Sequence, residues 1–358
     1  MPSIGFEDVL HVMSSRLVEA MTASGLQVAI IGAGAMGFAL ALSYDRAGQD
    51  VALCGTEFDA TTIERLLSSR IHPVLDHHLS EAIGVYSKDA WASALHDADL
   101  VVLAVASVGI RSVVTDASAH LSDKAAWVVA TKGWDPDTAE PLSKVIASIS
   151  TLPIVIMVGP SLAAEMTAGT PTALVCASNE LEAARRAAEA IGSETLMAFI
   201  SNDVAGVEVG AALKNVLAIG IGLCDGLAEV KGRSMTNTKA ALFSRGLVEM
   251  SKLAEAMGGK SDTVLGLSGA GDLFVTVLGG RNGRFGRLVG TGLDPGKAFA
   301  EMGTTVEGFD NAREAYVLAK KHVLDLPVVN MVYSVLHEGV SAEEAISALV
   351  ANPVQHET

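Results

Sequence analysis

From Gln27 onward the chain alternates short apolar runs with stretches of helical periodicity, which predicts repeated strand–helix units. The runs Val28–Gly32, Val51–Cys54, Leu100–Val105, Trp127–Thr131, Ile154–Val158, Ala173–Cys176 and Thr195–Ile200 predict strands. Helices are predicted between them around Phe38–Arg46, Thr61–Ser69, Lys88–Leu95, Ser107–His120, Ala139–Ile149, Ser161–Ala168 and Leu181–Ile191. Uninterrupted apolar strands are buried on both faces, so the expected sheet is mostly parallel and doubly wound, with antiparallel pairing open for the later strands. After about Asn202 no further strand is visible and small-residue helices take over: Val204–Leu223, Thr238–Met257, Asp310–Lys321, Val328–His337 and Ala342–Val350. The chain therefore divides into an extension over residues 1–25, an α/β domain over 26–201, an all-helical domain over 202–350 and a tail over 351–358. No proline- or serine-rich linker separates the two domains, so an apolar interface with the active site between them is expected. In the extension, Phe6, Val9, Leu10, Met13, Leu17 and Met21 recur at helical spacing. Glu7, Asp8 and Glu19 argue there against a secretory signal.

The first strand runs into Gly32-Ala33-Gly34-Ala35-Met36-Gly37, with a helix and a second strand behind it. In that context G-x-G-x-x-G is a dinucleotide fingerprint; glycines in a tight strand–helix contact are the bland alternative. Gly32 permits the turn, Gly34 lets backbone approach a pyrophosphate, and Gly37 lets helix pack on strand. Ala35 and Met36 open the helix, whose free N–H groups and partial positive charge favour phosphate. The first domain is thus expected to be of Rossmann type. Glu57, ~20 residues beyond Gly37, stands where an acid accepts the adenine ribose 2′-OH, or is simply a solvated loop charge. No arginine directly follows the strand to take a 2′-phosphate, which favours NAD as cofactor. NADP stays open, because Thr56 and nearby backbone can also hold a phosphate.

Charge and composition narrow the partners. The net charge of −16 disfavours nucleic acid and anionic lipid, and any phosphate site must be built locally from the 25 Lys and Arg residues. A mean hydropathy of +0.40 raises the question of a membrane. Leu100–Ala106, Ile154–Val158 and Val216–Cys224 fall far short of the ~20 apolar residues a spanning helix needs, so no membrane span is expected. Cys54, Cys176 and Cys224 fit neither a disulfide framework nor metal spacing, which points to a reducing, cytoplasmic compartment and no metal.

Candidate chemistry then stands out against this background. Lys132 follows a strand at the edge of the sheet where ligands bind, as a ligand or as an exposed strand-end lysine. Gly159-Pro160-Ser161 makes a second strand-to-turn junction, in which Ser161 meets a ligand or caps a helix. Lys214 lies on an otherwise apolar helix beside Asn215, and its only near acid, Glu208, is off its face. Desolvation lowers a lysine pKa and makes the amine a base; snorkelling to the surface is the alternative. Ser268–Asp272 and Gly279–Gly286 read as a pair of glycine-rich loops. There Arg281 grips a phosphate, Asn282 a phosphate or hydroxyl, and Asp272 a substrate hydroxyl or the lysine. A mobile loop with a fortuitous arginine is the competing account.

Together these segments resemble the soluble NAD(P)-dependent glycerol-3-phosphate dehydrogenase family over roughly residues 26–350. The likeness rests on Gly32–Gly37, Thr131-Lys132-Gly133, Gly159-Pro160-Ser161, Gly206-Val207-Glu208 through Leu213-Lys214-Asn215-Val216, and Asp225-Gly226-Leu227. It continues through Asn237-Thr238-Lys239-Ala240, Gly271-Asp272-Leu273, Gly280-Arg281-Asn282 and Val306-Glu307-Gly308. The resemblance implies a Rossmann domain followed by a helical domain, with Lys214 as catalytic acid/base acting with Lys132 and Asp272. It also implies a substrate site of Lys132, Gly159, Ser161, Asn215, Asp272, Thr276, Gly280, Arg281 and Asn282. Lys132, Ala163, Arg281, Thr305 and Glu307 would join Gly32, Gly34, Ala35, Met36, Gly37 and Glu57 around the cofactor. The expected reaction is oxidation of sn-glycerol 3-phosphate to dihydroxyacetone phosphate, with a small phosphorylated substrate as partner and a homodimer left open. Many family members carry an aromatic residue where Met36 stands and many bacterial ones a basic residue after the second strand. Gly55–Asp59 and Arg70-Ile71-His72-Pro73 look instead like an archaeal-type subgroup, and Ala228–Met235 is longer than in the common form. A 3-hydroxyacid or ketopantoate-type reductase and a non-catalytic dinucleotide sensor are the competing functions.

Overall fold

A computed structural model describes residues 25–349 and 351; the helix predicted over Phe6–Met21 lies outside them. The strands are β1 (Gln27–Ile31), β2 (Asp50–Cys54), β3 (Gly84–Tyr86), β4 (Leu100–Leu103), β5 (Ala126–Val129), β6 (Ile154–Val158), β7 (Thr172–Ala177) and β8 (Leu196–Ser201). They form one sheet in the order β3-β2-β1-β4-β5-β6-β7-β8. Neighbours are parallel through β6; β7 turns antiparallel to β6 and carries β8 parallel to itself. Strand order reverses between β1 and β4, which opens a crevice at the carboxyl ends of the strands.

Helices α1 (Ala35–Arg46), α2 (Ala60–Ser69), α3 (Trp91–Leu95), α4 (Ile110–Ser118), α5 (Leu142–Ala147), α6 (Ala163–Thr167) and α7 (Leu181–Ile191) cover the sheet. Because side chains alternate along a strand, Val28 and Ile30 pack with Phe38, Leu66 and Ile191, whereas Ala29 and Ile31 pack with Trp91, Val114 and Ile146. Both faces are dry, the reason the strands read as continuous apolar runs. β3 escapes the sequence pattern because it is three half-buried residues long.

The helical region comprises α8 (Val204–Lys231), α9 (Thr236–Ala256), α10 (Ser261–Val264), α11 (Asp272–Gly279), α12 (Arg281–Gly290), α13 (Pro295–Met302), α14 (Glu307–Lys321), α15 (Pro327–His337) and α16 (Ala342–Leu349). The two glycine-rich stretches expected as loops are helices, so Arg281 opens α12 and Asp272 opens α11. Their glycines serve close packing. A Cβ on Gly286 would overlap the Ile219 carbonyl oxygen, one on Gly290 that of Leu223, and one on Gly222 that of Gly283. Backbone meets backbone along the α8–α12 contact, which no larger residue permits.

α8 runs far beyond Val216–Cys224 and has the length and hydropathy of a spanning helix, as does the stretch Ser261–Gly279. The apolar window of α8 is wholly buried inside the protein. Ser261–Gly279 is interrupted at Gly266, whose backbone is extended. Val204, Val207 and Ala211 join the core under the sheet, and Val209, Ala212, Leu213 and Val216–Ile219 the core of the helical region, so α8 binds the two together. Glu208 clamps the joint by accepting from Ser143 N at 2.9 Å and Ser143 Oγ at 2.6 Å.

Candidate active site

Parallel strands deliver their carboxyl ends to one edge of the sheet, so the turns after β1, β5 and β6 are neighbours. The glycine turn after β1 separates into two kinds of position. Gly32 (φ +108°) and Gly37 are demanded by the fold: a Cβ on Gly32 would sit 2.7 Å from the Ala104 carbonyl oxygen, and one on Gly37 would overlap that of Gly32. Gly34 is different. Its backbone (φ −70°, ψ 179°) suits any residue, and a Cβ would meet no atom within 4 Å. Gly34 therefore keeps clear a space that the protein itself leaves open, beside a helix N-terminus with no side-chain cap and no acid in its first turn. Such a cradle fits a pyrophosphate. Gly34→Val should weaken NADH binding ~10-fold or more while Tm holds; Gly37→Ala should lower Tm instead. Fluorescence titration and thermal unfolding of both variants check the contrast.

Lys132 follows β5 and meets the helical region directly. Its Nζ lies 2.6 Å from Asp272 Oδ2 and 3.4 Å from the Gly159 carbonyl oxygen. The other oxygen, Asp272 Oδ1, accepts from Lys214 Nζ at 3.1 Å, and Lys214 also donates to Thr276 Oγ1 at 2.8 Å. The Thr276 hydroxyl donates to the Asp272 carbonyl four residues back, at 2.7 Å, which leaves its lone pair for the lysine. Asp272, itself 1% exposed, thus spans two ammonium groups from two regions of the chain. Lys214 is 6% exposed and does not snorkel. Burial pushes its ammonium down to about 8; Asp272 opposes the change and Lys132 adds to it. Ser161 neither caps α6 nor points away, since its hydroxyl donates to the Gly159 carbonyl at 2.9 Å.

Beside the lysines runs a chain of carboxamides. Gly308 N donates to Asn282 Oδ1 (2.9 Å), Asn282 Nδ2 to Asn215 Oδ1 (2.8 Å), Asn215 Nδ2 to Asn311 Oδ1 (3.3 Å), and Asn311 Nδ2 to Glu314 Oε2 (2.9 Å). Asn215 Nδ2 also reaches Glu307 Oε2 at 3.2 Å. A backbone donor at one end and a carboxylate at the other fix the sense of every amide in between. Asn215 and Asn282, expected at the substrate, are therefore first of all engaged with each other. Gly133 (φ +118°) packs against the Asn311 amide and ties the Lys132 turn to the chain. Sequence reasoning missed Asn311 and Glu314. Their signal was positional: Glu307, Asn311, Glu314 and Leu318 share one face of α14, and three of the four are polar. Burial raises the Glu314 carboxyl to about 7.

The remaining candidates lie around this centre. Arg281 is exposed at the start of α12 after Gly280, with Nη1 3.5 Å from Thr304 Oγ1, and it does not touch the lysines. Thr305 is exposed and Glu307 half-buried at the start of α14, while Ala163 packs in the first turn of α6. Glu57 is exposed after β2 and pairs with Lys88 at 3.1 Å, a lysine that Asp116 also holds at 3.0 Å. Its own backbone N–H and Lys88 hold the Glu57 carboxyl below the usual range.

Residues 27–184 match the family model described as NAD-dependent glycerol-3-phosphate dehydrogenase N-terminus, and residues 203–347 match the C-terminus of the same family. Glycerol-3-phosphate dehydrogenase [NAD(P)+] of Thermoanaerobacter sp. is 34% identical over 336 residues, 93% of this chain and 99% of that protein. The enzyme of the same name from Symbiobacterium thermophilum is 37% identical over 339 residues, covering 93% and 96%. The crystal structure of glycerol-3-phosphate dehydrogenase from Coxiella burnetii superposes with a TM-score of 0.85 at 31% identity, covering 92% of this chain and 99% of that one. The sequence relatives are mostly bacterial.

Proposed function

Because the chain belongs to the NAD-dependent glycerol-3-phosphate dehydrogenase family, we propose that it interconverts sn-glycerol 3-phosphate and dihydroxyacetone phosphate with Lys214 as general acid/base. The observation that carries the role is the Lys214 amine, buried between Asp272 and Thr276 with its ammonium brought down to about 8. An amine of that kind changes protonation near neutrality. NAD(P) is the cofactor; when bound, its nicotinamide accepts or supplies the hydride. The Gly32–Gly37 turn, with the N–H groups of Ala35 and Met36, would hold the pyrophosphate and Glu57 the adenine ribose. Ala163, Thr305, Glu307 and Arg281 would border the cofactor.

In oxidation Lys214 takes the C2 hydroxyl proton; in reduction its ammonium returns that proton and stabilises the developing alkoxide. Asp272 and Thr276 hold the amine in place, and Lys132 adds positive potential above the Gly159–Ser161 turn. Arg281 and Asn282, at the N-terminus of α12 behind Gly280, receive the phosphate. The sign of the pH dependence follows. Oxidation needs the neutral amine, so its kcat/KM should rise with pH and level off above about 8; reduction needs the ammonium and should fall over the same range. Initial rates in both directions between pH 6 and 10 check this, and parallel profiles would contradict the role of Lys214.

Following NADH and NADPH absorbance in parallel with dihydroxyacetone phosphate and ketopantoate tests the substrate and the cofactor preference together. No turnover with the phosphorylated ketone would overturn the function; binding without turnover would favour a dinucleotide sensor. Cytoplasmic residence is supported by three buried free thiols, Cys54, Cys176 and Cys224. Light scattering decides between a monomer and the homodimer. An archaeal-type affiliation has only Gly55–Asp59 and Arg70–Pro73 in its favour, against mostly bacterial relatives.

A further inference from the structure

The stretch Arg70-Ile71-His72-Pro73 folds back onto the glycine turn, and its histidine is built into that turn. His72 is 2% exposed. Its Nδ1 accepts from the backbone N–H groups of Val74 and Leu75, at 3.2 Å each. A ring nitrogen that accepts two donors carries no proton, so the ring is neutral with its hydrogen on Nε2. Nε2 lies 3.2 Å from the Ala33 carbonyl oxygen and donates to it. The same ring lies against Phe38, with centroids 4.8 Å apart. One side chain thus grips the glycine turn before Gly34 and after Gly37. Its own segment is braced in turn: Arg70 donates to the carbonyls of Ser80 and Ile83, and backbone bonds His72 N to His77 O and Asp76 N to His72 O close the loop.

We propose that His72 is a positioning residue of the dinucleotide site, its Nε2–H anchoring the Ala33–Gly34 peptide of the phosphate-binding turn. In a trans peptide the C=O and N–H point in opposite directions. Holding the Ala33 carbonyl toward the buried ring therefore turns the Gly34 N–H away from it, on the side where Gly34 is exposed and unobstructed. Without this bond the carbonyl is free to rotate into the space that an anion needs. The inference rests on the assignment of NAD(P) as cofactor and adds a residue that touches the turn without belonging to the fingerprint.

Acid should act through the same ring. Protonation places an Nδ1–H against the N–H groups of Val74 and Leu75 and breaks the turn. The charged groups facing the ring are Arg65 of α2, which opposes protonation, and Asp59 ahead of α2, which favours it; α1 presents Phe38. Burial is the largest influence and holds the ring below the ordinary histidine range. The neutral form, and the anchored turn with it, is present above that range and lost as pH falls through the lowered value.

The test compares the full-length wild type with His72→Leu and His72→Gln, whose amide N–H can replace Nε2–H. For His72→Leu the expected result is ~10-fold higher KM and Kd for NADH, with kcat and the KM for dihydroxyacetone phosphate changing far less. His72→Gln should recover most of the loss. Wild-type Kd in His72→Leu, or equal losses in both variants spread over kcat and both KM values, would overturn the proposal. Should His72→Leu fail to fold, NAD+ titrations from about pH 7.5 to 5 decide. Wild-type affinity should fall on acidification and that of His72→Gln should not, while parallel profiles refute the anchor. Wild type that binds no NAD(P)H at all would overturn the cofactor assignment and the proposal with it.

Discussion

Lys214→Ala is expected to cut turnover in both directions by ~10²–10⁴-fold, the span that a positioned general acid/base contributes, and to leave NADH binding nearly intact. The separation follows from where the lysine sits. Its amine touches Asp272 and Thr276 but not the glycine turn, so the dinucleotide cradle loses no contact. The fold should also survive, because Asp272 keeps Lys132 as counter-charge at 2.6 Å. NADH absorbance gives the rate and fluorescence titration the affinity. A variant with near-full turnover would remove Lys214 from the mechanism; one that also loses NADH would mean the lysine supports the cofactor.

Replacing Asp272 should do wider damage. Both of its oxygens accept, one from Lys132 and one from Lys214, so Asp272→Ala leaves two largely buried ammonium groups facing each other. Breaking a buried pair costs about 3–5 kcal/mol, and a lysine that sheds its proton recovers part of that. Tm should therefore drop by several degrees along with turnover. Asp272→Asn should rescue little, because an amide has one acceptor oxygen and would set its NH2 against a lysine. The diagnostic is the pH profile of residual oxidation. Asp272 is what holds the Lys214 value up to about 8 against burial and Lys132, so without it the rising limb should move to lower pH. A limb that stays near 8 would show that Asp272 does not set the charge of the base.

The strands were legible because a parallel strand dry on both faces has to be apolar throughout, and Lys214 because a lone charge on such a helix needs an explanation. What stayed hidden was long-range. The sequence offers Asp272 to a substrate hydroxyl or to the lysine; that it holds Lys214 and Lys132 at once, 58 and 140 residues away, appears only in the fold. Glycines after Gly266 carried two meanings, and the sequence-based expectation took the wrong one. In a loop they free the backbone, but Gly286 and Gly290 let α12 lie directly on α8. The Arg281 loop thus became a helix N-terminus, with Asn282 drawn inward to its amide partner. Asn311 and Glu314 match no motif, and His72 enters only as part of Arg70-Ile71-His72-Pro73, since their work is to hold other polar groups and appears only once those groups are in place.

α8 carries the amine on the most hydrophobic long helix among the described residues, and this matters before folding is complete. During synthesis its apolar surface emerges well ahead of α12, α14 and α15, the helices that later cover it. For that interval the nascent chain carries a segment with the length and hydropathy of a membrane span, and the sheet region upstream is the only part of its final surroundings already made. Val204, Val207 and Ala211 are the α8 residues that pack against it in the folded protein. A ribosome stalled before Arg281 would hold out a sticky, catalytically useless helix, so the helical half of this enzyme is where shortage of chaperone capacity should be felt.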